Sequence, residues 1–381
     1  MSDATFAAAA SEHPSANDAV AEVVGEILQS IGPAADLVVI FATGEHAEAL
    51  PDVVRTVRTL LNPRVLVGAT AVSVVGGARE IEGRAGLTLW AARFGTDIEP
   101  IRLEAFRSPQ GELLVAGGGV IGRNEGTLLL LADPFTFPAT EVLDHLGETA
   151  PGVTIIGGFA SAAQMAGQNV LILDDERFRD GAVGVWLPPS VRVSPVVSQG
   201  CRPIGQPLTV TRGEGNVINE LAGASALTRL MSQLEALGEE EKELVQAGLH
   251  VGIVVDEHQM DFGAGDFLVR GVIGADRDAG SVVIGDQIQI GTTVQFHVRD
   301  ARTADEDLRL LLDGRPAAGV LLFTCNGRGL HLFGEPHHDA TVVADSCGTD
   351  AIAGMFCAGE FGPIGGQTFV HGFTASMALF S

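Results

Sequence analysis

Two segments near the C-terminus hold the residues whose types and spacing suit chemistry. Phe323-Thr-Cys-Asn-Gly-Arg-Gly329 leaves an apolar run and turns through glycines, presenting Cys325, Asn326, Gly327 and Arg328 in succession. Gly354-Met-Phe-Cys-Ala-Gly-Glu360 repeats the device with Cys357, Gly359 and Glu360, and His371 follows in Phe369-Val-His-Gly-Phe373. Glycine permits positive φ and close main-chain approach to a ligand, and polar residues at strand ends beside such turns form binding loops in α/β proteins. Arg328 offers a planar fork of donors suited to a carboxylate. Glu360 can accept from an ammonium group, and Asn326 with the N–H groups around Gly327 and Gly359 completes the grip. A zwitterionic amino acid or related metabolite is thus the expected ligand. The structural alternative is that Arg328 and Glu360 pair with each other or cap structure.

The thiols support a competing chemistry. Cys325 and Cys357 occupy equivalent places after successive strands, and His371 could serve either as the base of a thiol nucleophile. Against this, a free cysteine beside Phe or Met behaves as a small buried hydrophobe. Cys325, Cys357, His337, His338 and His371 lack any recognised metal spacing, and His337-His338 read as a solvated loop. No catalytic residue, metal or cofactor is assigned.

Composition narrows the field. The chain has 381 residues, with 48 acidic against 23 basic and a net charge of −25. Such a surface repels phosphate backbones and anionic lipid, so neither nucleic acid nor membrane is an expected partner. The one lysine, Lys242, sits in the run Glu239-Glu240-Glu241-Lys242-Glu243, which reads as a solvated helix face; this excludes Schiff-base chemistry and a P-loop. The four cysteines form no CxxC pair, and the N-terminal stretch lacks the basic and apolar regions of a signal peptide, so reduced thiols in the cytoplasm are expected.

The elements that must position these residues are read from periodicity. Val20, Val23, Val24, Ile27, Leu28 and Ile31 lie on one helical face, stopped by Gly32-Pro33. Leu50, Val53, Val54, Val57, Leu60 and Leu61 form a second. Further helices are predicted at 139–148, 225–237 and 303–313, the last opened by a Thr303-x-x-Glu306 capping box. Continuous apolar runs at 37–41, 65–67, 128–131, 153–156 and 320–323 predict strands covered on both faces. Alternation over 286–299 predicts an antiparallel hairpin around Gly291-Thr292.

One arrangement recurs. An apolar strand, a helix, a second strand ending in a glycine turn and a closing strand run from Val39 to Gly68 and on to Phe94. They recur from Leu129 to Gly157 and on to Leu187, and from Leu321 to Gly354 and on to Phe380. The fold class is mixed α/β, with two packed domains, mixed sheets and repeated strand-helix-strand units. Residues 1–35 read as a tail and helix, 36–224 as a first domain with two units (36–94 and 127–187), and 225–381 as a second domain.

The segments VLLFTCNGRG, IAGMFCAGEFGPIGG and HGFTASMALF resemble the C-terminal domain of the FIST family, and residues 197–223 with GAVGVW at 181–186 resemble the end of its N-terminal domain. The resemblance spans 36–381. It implies a stand-alone sensory protein of signal transduction that binds a small ligand, with a signalling protein as a further partner. Through the resemblance Gln199 and Arg202, in Gln199-Gly-Cys-Arg-Pro203, join the candidate site. The alternatives are a thiol-dependent or metal-assisted hydrolase using Cys325 or Cys357 with His371, and a protein-interaction scaffold.

Overall fold

The computed structural model describes residues 4–117, 119–120, 122–259 and 262–381. Residues 1–3 of the expected tail lie outside them. The chain folds as two compact units, the first of 1–197, 308–370 and 374–381, the second of 198–307 with 371–373. The division expected near 224 therefore falls inside the second unit, and all three repeats belong to the first.

The first repeat opens with β1 (Thr5–Ser11), where a tail was expected, and α1 (Ala16–Ile31). Alanine favours helix, yet these alanines alternate between the sheet's two faces, and β1 pairs along its length with β6 (Leu87–Arg93). Ser15 caps α1, its hydroxyl accepting from Asp18 N–H, and Gly32 ends it. Then come β2 (Leu37–Thr43), α2 (Leu50–Leu61), β3 (Val65–Ala71) and a hairpin of β4 (Val74–Gly76) and β5 (Arg79–Ile81). The second repeat has β7 (Glu99–Arg107), β8 (Leu113–Ala116), β9 (Thr127–Ala132), α3 (Ala139–Thr149), β10 (Thr154–Phe159), the hairpin β11 (Leu171–Leu173) and β12 (Glu176–Phe178), and β13 (Ala182–Leu187).

The third repeat begins with β14 (Val193–Gln199) and is interrupted by the second unit. That insertion contains β15 (Cys201–Glu214), β16 (Val217–Leu221), β17 (Ala224–Ser225), α4 (Ala226–Glu235), α5 (Glu239–Ala247), β18 (Leu249–Val254), β19 (Phe267–Asp276), β20 (Ser281–Ile284) and β21 (Thr293–Arg299). Its strands run β15-β21-β18-β19-β20-β16, and β16 returns to pair with β15, so the antiparallel sheet closes on itself. The hairpin expected over 286–299 is a single strand, β21, whose neighbours are β15 and β18; Ile290 is 65% exposed in the preceding turn. The helix predicted over 225–237 is α4, and the acidic run forms α5. The repeat resumes with α6 (Ala301–Leu312), β22 (Gly319–Cys325), α7 (Leu330–Phe333), α8 (His338–Cys347), β23 (Ile352–Cys357), the hairpin β24 (Glu360–Ile364) and β25 (Gln367–His371), and β26 (Thr374–Phe380). Helix α6 starts two residues before the predicted box: Asp300 accepts from Arg302 N–H and from the Thr303 hydroxyl.

Each repeat builds the same strand triplet. In β6-β2-β3, β13-β9-β10 and β26-β22-β23, the first pair is antiparallel and the second parallel. The hairpins are exchanged cyclically. The first repeat's β4-β5 joins β23, the second's β11-β12 joins β3, and the third's β24 joins β10. One face of all three sheets meets in a shared core that includes Phe41, Trp90, Leu129, Ile156, Phe323 and Phe380. Helices α1 and α2, α3, and α6 and α8 cover the outer faces. Both faces being buried explains the unbroken apolar runs.

The recurring glycines lie within strands, where turns were expected. Gly68 pairs with Ile40, Gly157 with Leu130 and Gly354 with Leu322. A Cβ on each would stand 2.4, 1.9 and 2.0 Å from the partner's carbonyl oxygen. Glycine is required here by close approach of two main chains.

Candidate functional site

The glycine register aligns the three repeats residue by residue. Three positions beyond Ile40, Leu130 and Leu322 stand Thr43, Asp133 and Cys325, at or just beyond the carboxyl ends of β2, β9 and β22. This is where α/β folds bind ligands. Thr43 and Asp133 hold their own surroundings together. Thr43 Oγ1 accepts from Gly86 N–H at 2.9 Å. Asp133 accepts from Asn169 Nδ2 at 3.0 Å, from Thr136 Oγ1 at 2.8 Å and from Phe135 N–H at 3.2 Å. In the third repeat buried opposite charges gather.

Arg328 follows β22 through a turn closed by its N–H on the Cys325 carbonyl, 2.9 Å. Its side chain is fully buried. Nε and Nη2 donate to the two oxygens of Asp339 at 2.7 and 2.8 Å, and Thr324 Oγ1 donates to Asp339 at 2.8 Å. Asp339 lies in the first turn of α8, and His338 Nδ1 stands 3.2 Å from it. Burial opposes ionisation of Asp339, but the Arg328 guanidinium outweighs it and holds the carboxyl well below the usual range. Among the described residues the Nη1 atom of Arg328 finds no hydrogen-bond partner. His337 and His338 were expected on a solvated loop. His337 instead precedes α8 in the left-handed region (φ 67°), with Nδ1 accepting from Glu80 N–H at 3.0 Å, and buried His338 stacks on Phe333 at 3.5 Å.

Glu360 opens β24 and is also fully buried. Its Oε2 accepts from Thr374 Oγ1 at 2.7 Å and Thr374 N–H at 3.2 Å; among the described residues Oε1 finds no hydrogen-bond partner. Burial raises its pKa to about 8, against the lowering effect of those bonds and of the Arg328 charge. The pairing of Arg328 with Glu360 is thus replaced by one with Asp339. Glu80, from the hairpin that the first repeat lends to this sheet, accepts from Ala340 N–H at 3.1 Å and leaves Oε2 unpartnered. Burial, then the Asp339 charge, lifts it to about 7.

The other expected residues divide between the units. Cys325 and Cys357 are register partners at the ends of β22 and β23, both buried. Burial raises the Cys357 thiol well above its ordinary range, and the Glu360 and Cys325 charges add to this. Gly327 N–H donates to Cys325 Sγ at 3.5 Å, and Asn326 N–H to the Cys357 carbonyl at 2.9 Å, with the Asn326 side chain exposed. The Gly359 carbonyl accepts from Phe159 N–H at 2.8 Å. Gln199, Arg202 and His371 belong to the second unit. There Arg202 is held by Asp300 and Glu241, each at 3.0 Å, and Gln199 Nε2 donates to the Phe267 carbonyl at 2.8 Å. Among the described residues no group of three or more His, Cys, Asp or Glu side chains is arranged to hold a metal ion. Asp339, Glu80, Thr324 and Thr374 were missed by sequence reasoning. An acidic residue opening a helix was the one available signal, and the histidine pair read as loop concealed it.

Comparison with known proteins decides the family. The FIST N domain matches residues 36–224 and the FIST C domain residues 226–363. The chain belongs to the FIST family. FIST domains are associated with small-ligand sensing in signal transduction. This FIST chain is 43% identical over 376 residues to the uncharacterized protein Mb0898c of Mycobacterium bovis, covering 96% of each. It is 41% identical over 375 residues to the uncharacterized protein MT0656 of Mycobacterium tuberculosis, covering 96% of this chain and 97% of that one. The boundary between the two FIST domains, at 224–226, lies within the inserted closed sheet. Among the described residues no helix is long and apolar enough to cross a membrane.

Proposed function

We propose that this FIST protein is a cytoplasmic sensor of an α-amino acid or closely related metabolite, taken between Arg328 and Glu360 and relayed to a signalling partner. One observation carries the reading: Arg328 Nη1 and Glu360 Oε1, on fully buried side chains of opposite formal charge, both lack partners. A buried donor and acceptor left unmade are costly, and a ligand carboxylate on Nη1 with its ammonium on Oε1 removes both costs. Asp339 keeps the guanidinium fixed in orientation while leaving one edge for the ligand. Cys347 and Cys357, buried and outside any disulfide, support a reducing compartment. The thiol-hydrolase alternative is disfavoured at Cys357 by its raised thiol, since the thiolate is the nucleophile.

A thermal-shift panel tests the reading, because a ligand that prefers the native state raises its apparent stability. The panel comprises the twenty amino acids with their decarboxylated and deaminated counterparts. At least one intact amino acid is expected to stabilise the protein, with the shift lost in its decarboxylated counterpart. Stabilisation by no amino acid would overturn the reading.

A further inference from the structure

Among the described residues Glu360 forms no ion pair of its own. The nearest guanidinium, Arg328, is engaged on both Nε and Nη2 by Asp339. Among the described residues the hydrogen bonds to the Glu360 carboxyl come from Thr374, and the adjacent strand β25 ends on the buried imidazole of His371. From β23 comes the Cys357 thiol, whose pKa the Glu360 charge raises further, with Cys325 beside it on β22; from β26 comes Thr374, a hydrogen-bond donor. Ionised carboxylates withdrawn from water without a paired cation are strongly disfavoured, and the group takes up a proton instead.

From this geometry we infer that Glu360 carries a proton in the empty site and releases it to solvent when a ligand ammonium docks on Oε1, making ligand binding and pH linked signals. The inference rests on the proposed function. The exchange balances: the O–H bond of the Glu360 acid breaks, the carboxylate pairs with the incoming ammonium, and the proton passes to buffer. The pKa near 8 agrees with this protonation at neutral pH. The acid form also changes what the empty site offers. Its O–H and the Arg328 Nη1–H are both donors, so a ligand with a carboxylate and no amine would bind the protonated form and exchange no proton. Its affinity would fall as pH rises, whereas that of an amino acid would rise until its own amine loses its proton.

Two measurements test the inference. The first needs no ligand. Infrared difference spectra of wild type against Glu360→Gln at neutral pH are expected to show a protonated-carboxyl band that disappears in the variant. Glutamine matches the neutral acid in shape, and circular dichroism checks its folding. Absence of the band overturns the inference whatever binds. The second is calorimetric titration of each of the twenty L-amino acids in phosphate and in Tris, whose ionisation heats differ. A binding amino acid is expected to release about one proton near pH 7 in wild type and none in Glu360→Gln. Thr374→Val removes a hydroxyl that favours the carboxylate and extends the release to higher pH. Binding with no buffer-dependent heat overturns the exchange and leaves the ligand reading standing. Failure of every amino acid to bind removes both.

Discussion

Arg328 grips Asp339 through two nitrogens, at 2.7 and 2.8 Å, with both side chains fully buried. The pair joins the loop after β22 to the first turn of α8 and leaves one guanidinium edge without a partner.

Removing one partner of such a pair strands the other charge in the interior, at a cost of about 3–5 kcal/mol. Asp339→Ala is therefore expected to lower unfolding free energy by about that amount in urea titrations. The double change Arg328→Met with Asp339→Leu recovers most of the loss, since apolar replacement of a buried pair is often neutral, and it abolishes ligand-induced stabilisation. A single variant as stable as wild type would show the pair to be solvated.

The in-strand glycines give a second test. Gly354→Ala places a Cβ about 2 Å from the Leu322 carbonyl oxygen, so β22 and β23 must separate. The expected loss is at least the roughly 1–3 kcal/mol typical of overpacking. Gly25 provides the control: it lies mid-helix in α1, and a Cβ there would meet nothing within 4 Å. Gly25→Ala is expected to stabilise by about 0.5–1 kcal/mol. Equal effects at the two sites would sink the close-approach argument.

Stability should follow pH with an identifiable shape. Glu80 and Glu360 rise on folding from 4.5 to about 7 and about 8, so their contribution is complete below pH 4.5 and is lost as pH climbs through 7 and 8. His250 and His297 move the other way. Burial lowers both from 6.5 to about 4, so their contribution is complete above 6.5 and is lost as pH falls toward 4. The two pairs oppose each other between 4.5 and 6.5, and only the carboxyl slope remains above. Urea midpoints are expected to be level from about pH 5 to 6.5 and to decline toward pH 8, with a shallower decline in Glu360→Gln. A rise over that upper interval would contradict the burial assigned to these carboxyls.

Native protein should resist iodoacetamide near neutrality at all four cysteines, which are buried. Reaction should appear only on unfolding. Rapid, stoichiometric modification of Cys325 or Cys357 in the native state would restore the thiol-hydrolase reading.

Much of this architecture was legible because burial on both faces writes unbroken apolar runs, and close strand approach writes glycine at a fixed place after each. Those two signals located β2, β3, β9, β10 and β22 and the threefold recurrence. What escaped depends on partners distant in sequence. The alanines of β1 follow no strand propensity and are recruited by β6. Helix α8 has a weak apolar pattern, and its first turn is bound by Glu80, 260 residues earlier. Arg328 was recognisable as a donor, but its partner Asp339 needed the turn through α7 to be known. The insertion of 198–307 carries no linker composition, because both crossings occur inside regular elements, β14 and α6.

The most direct test is a crystal structure of the protein with the amino acid that stabilises it best. The account predicts the ligand carboxylate within hydrogen-bond distance of Arg328 Nη1 and its ammonium on Glu360 Oε1, with the Arg328–Asp339 pair intact. Ligand density elsewhere, with those two atoms still unpartnered, would contradict it.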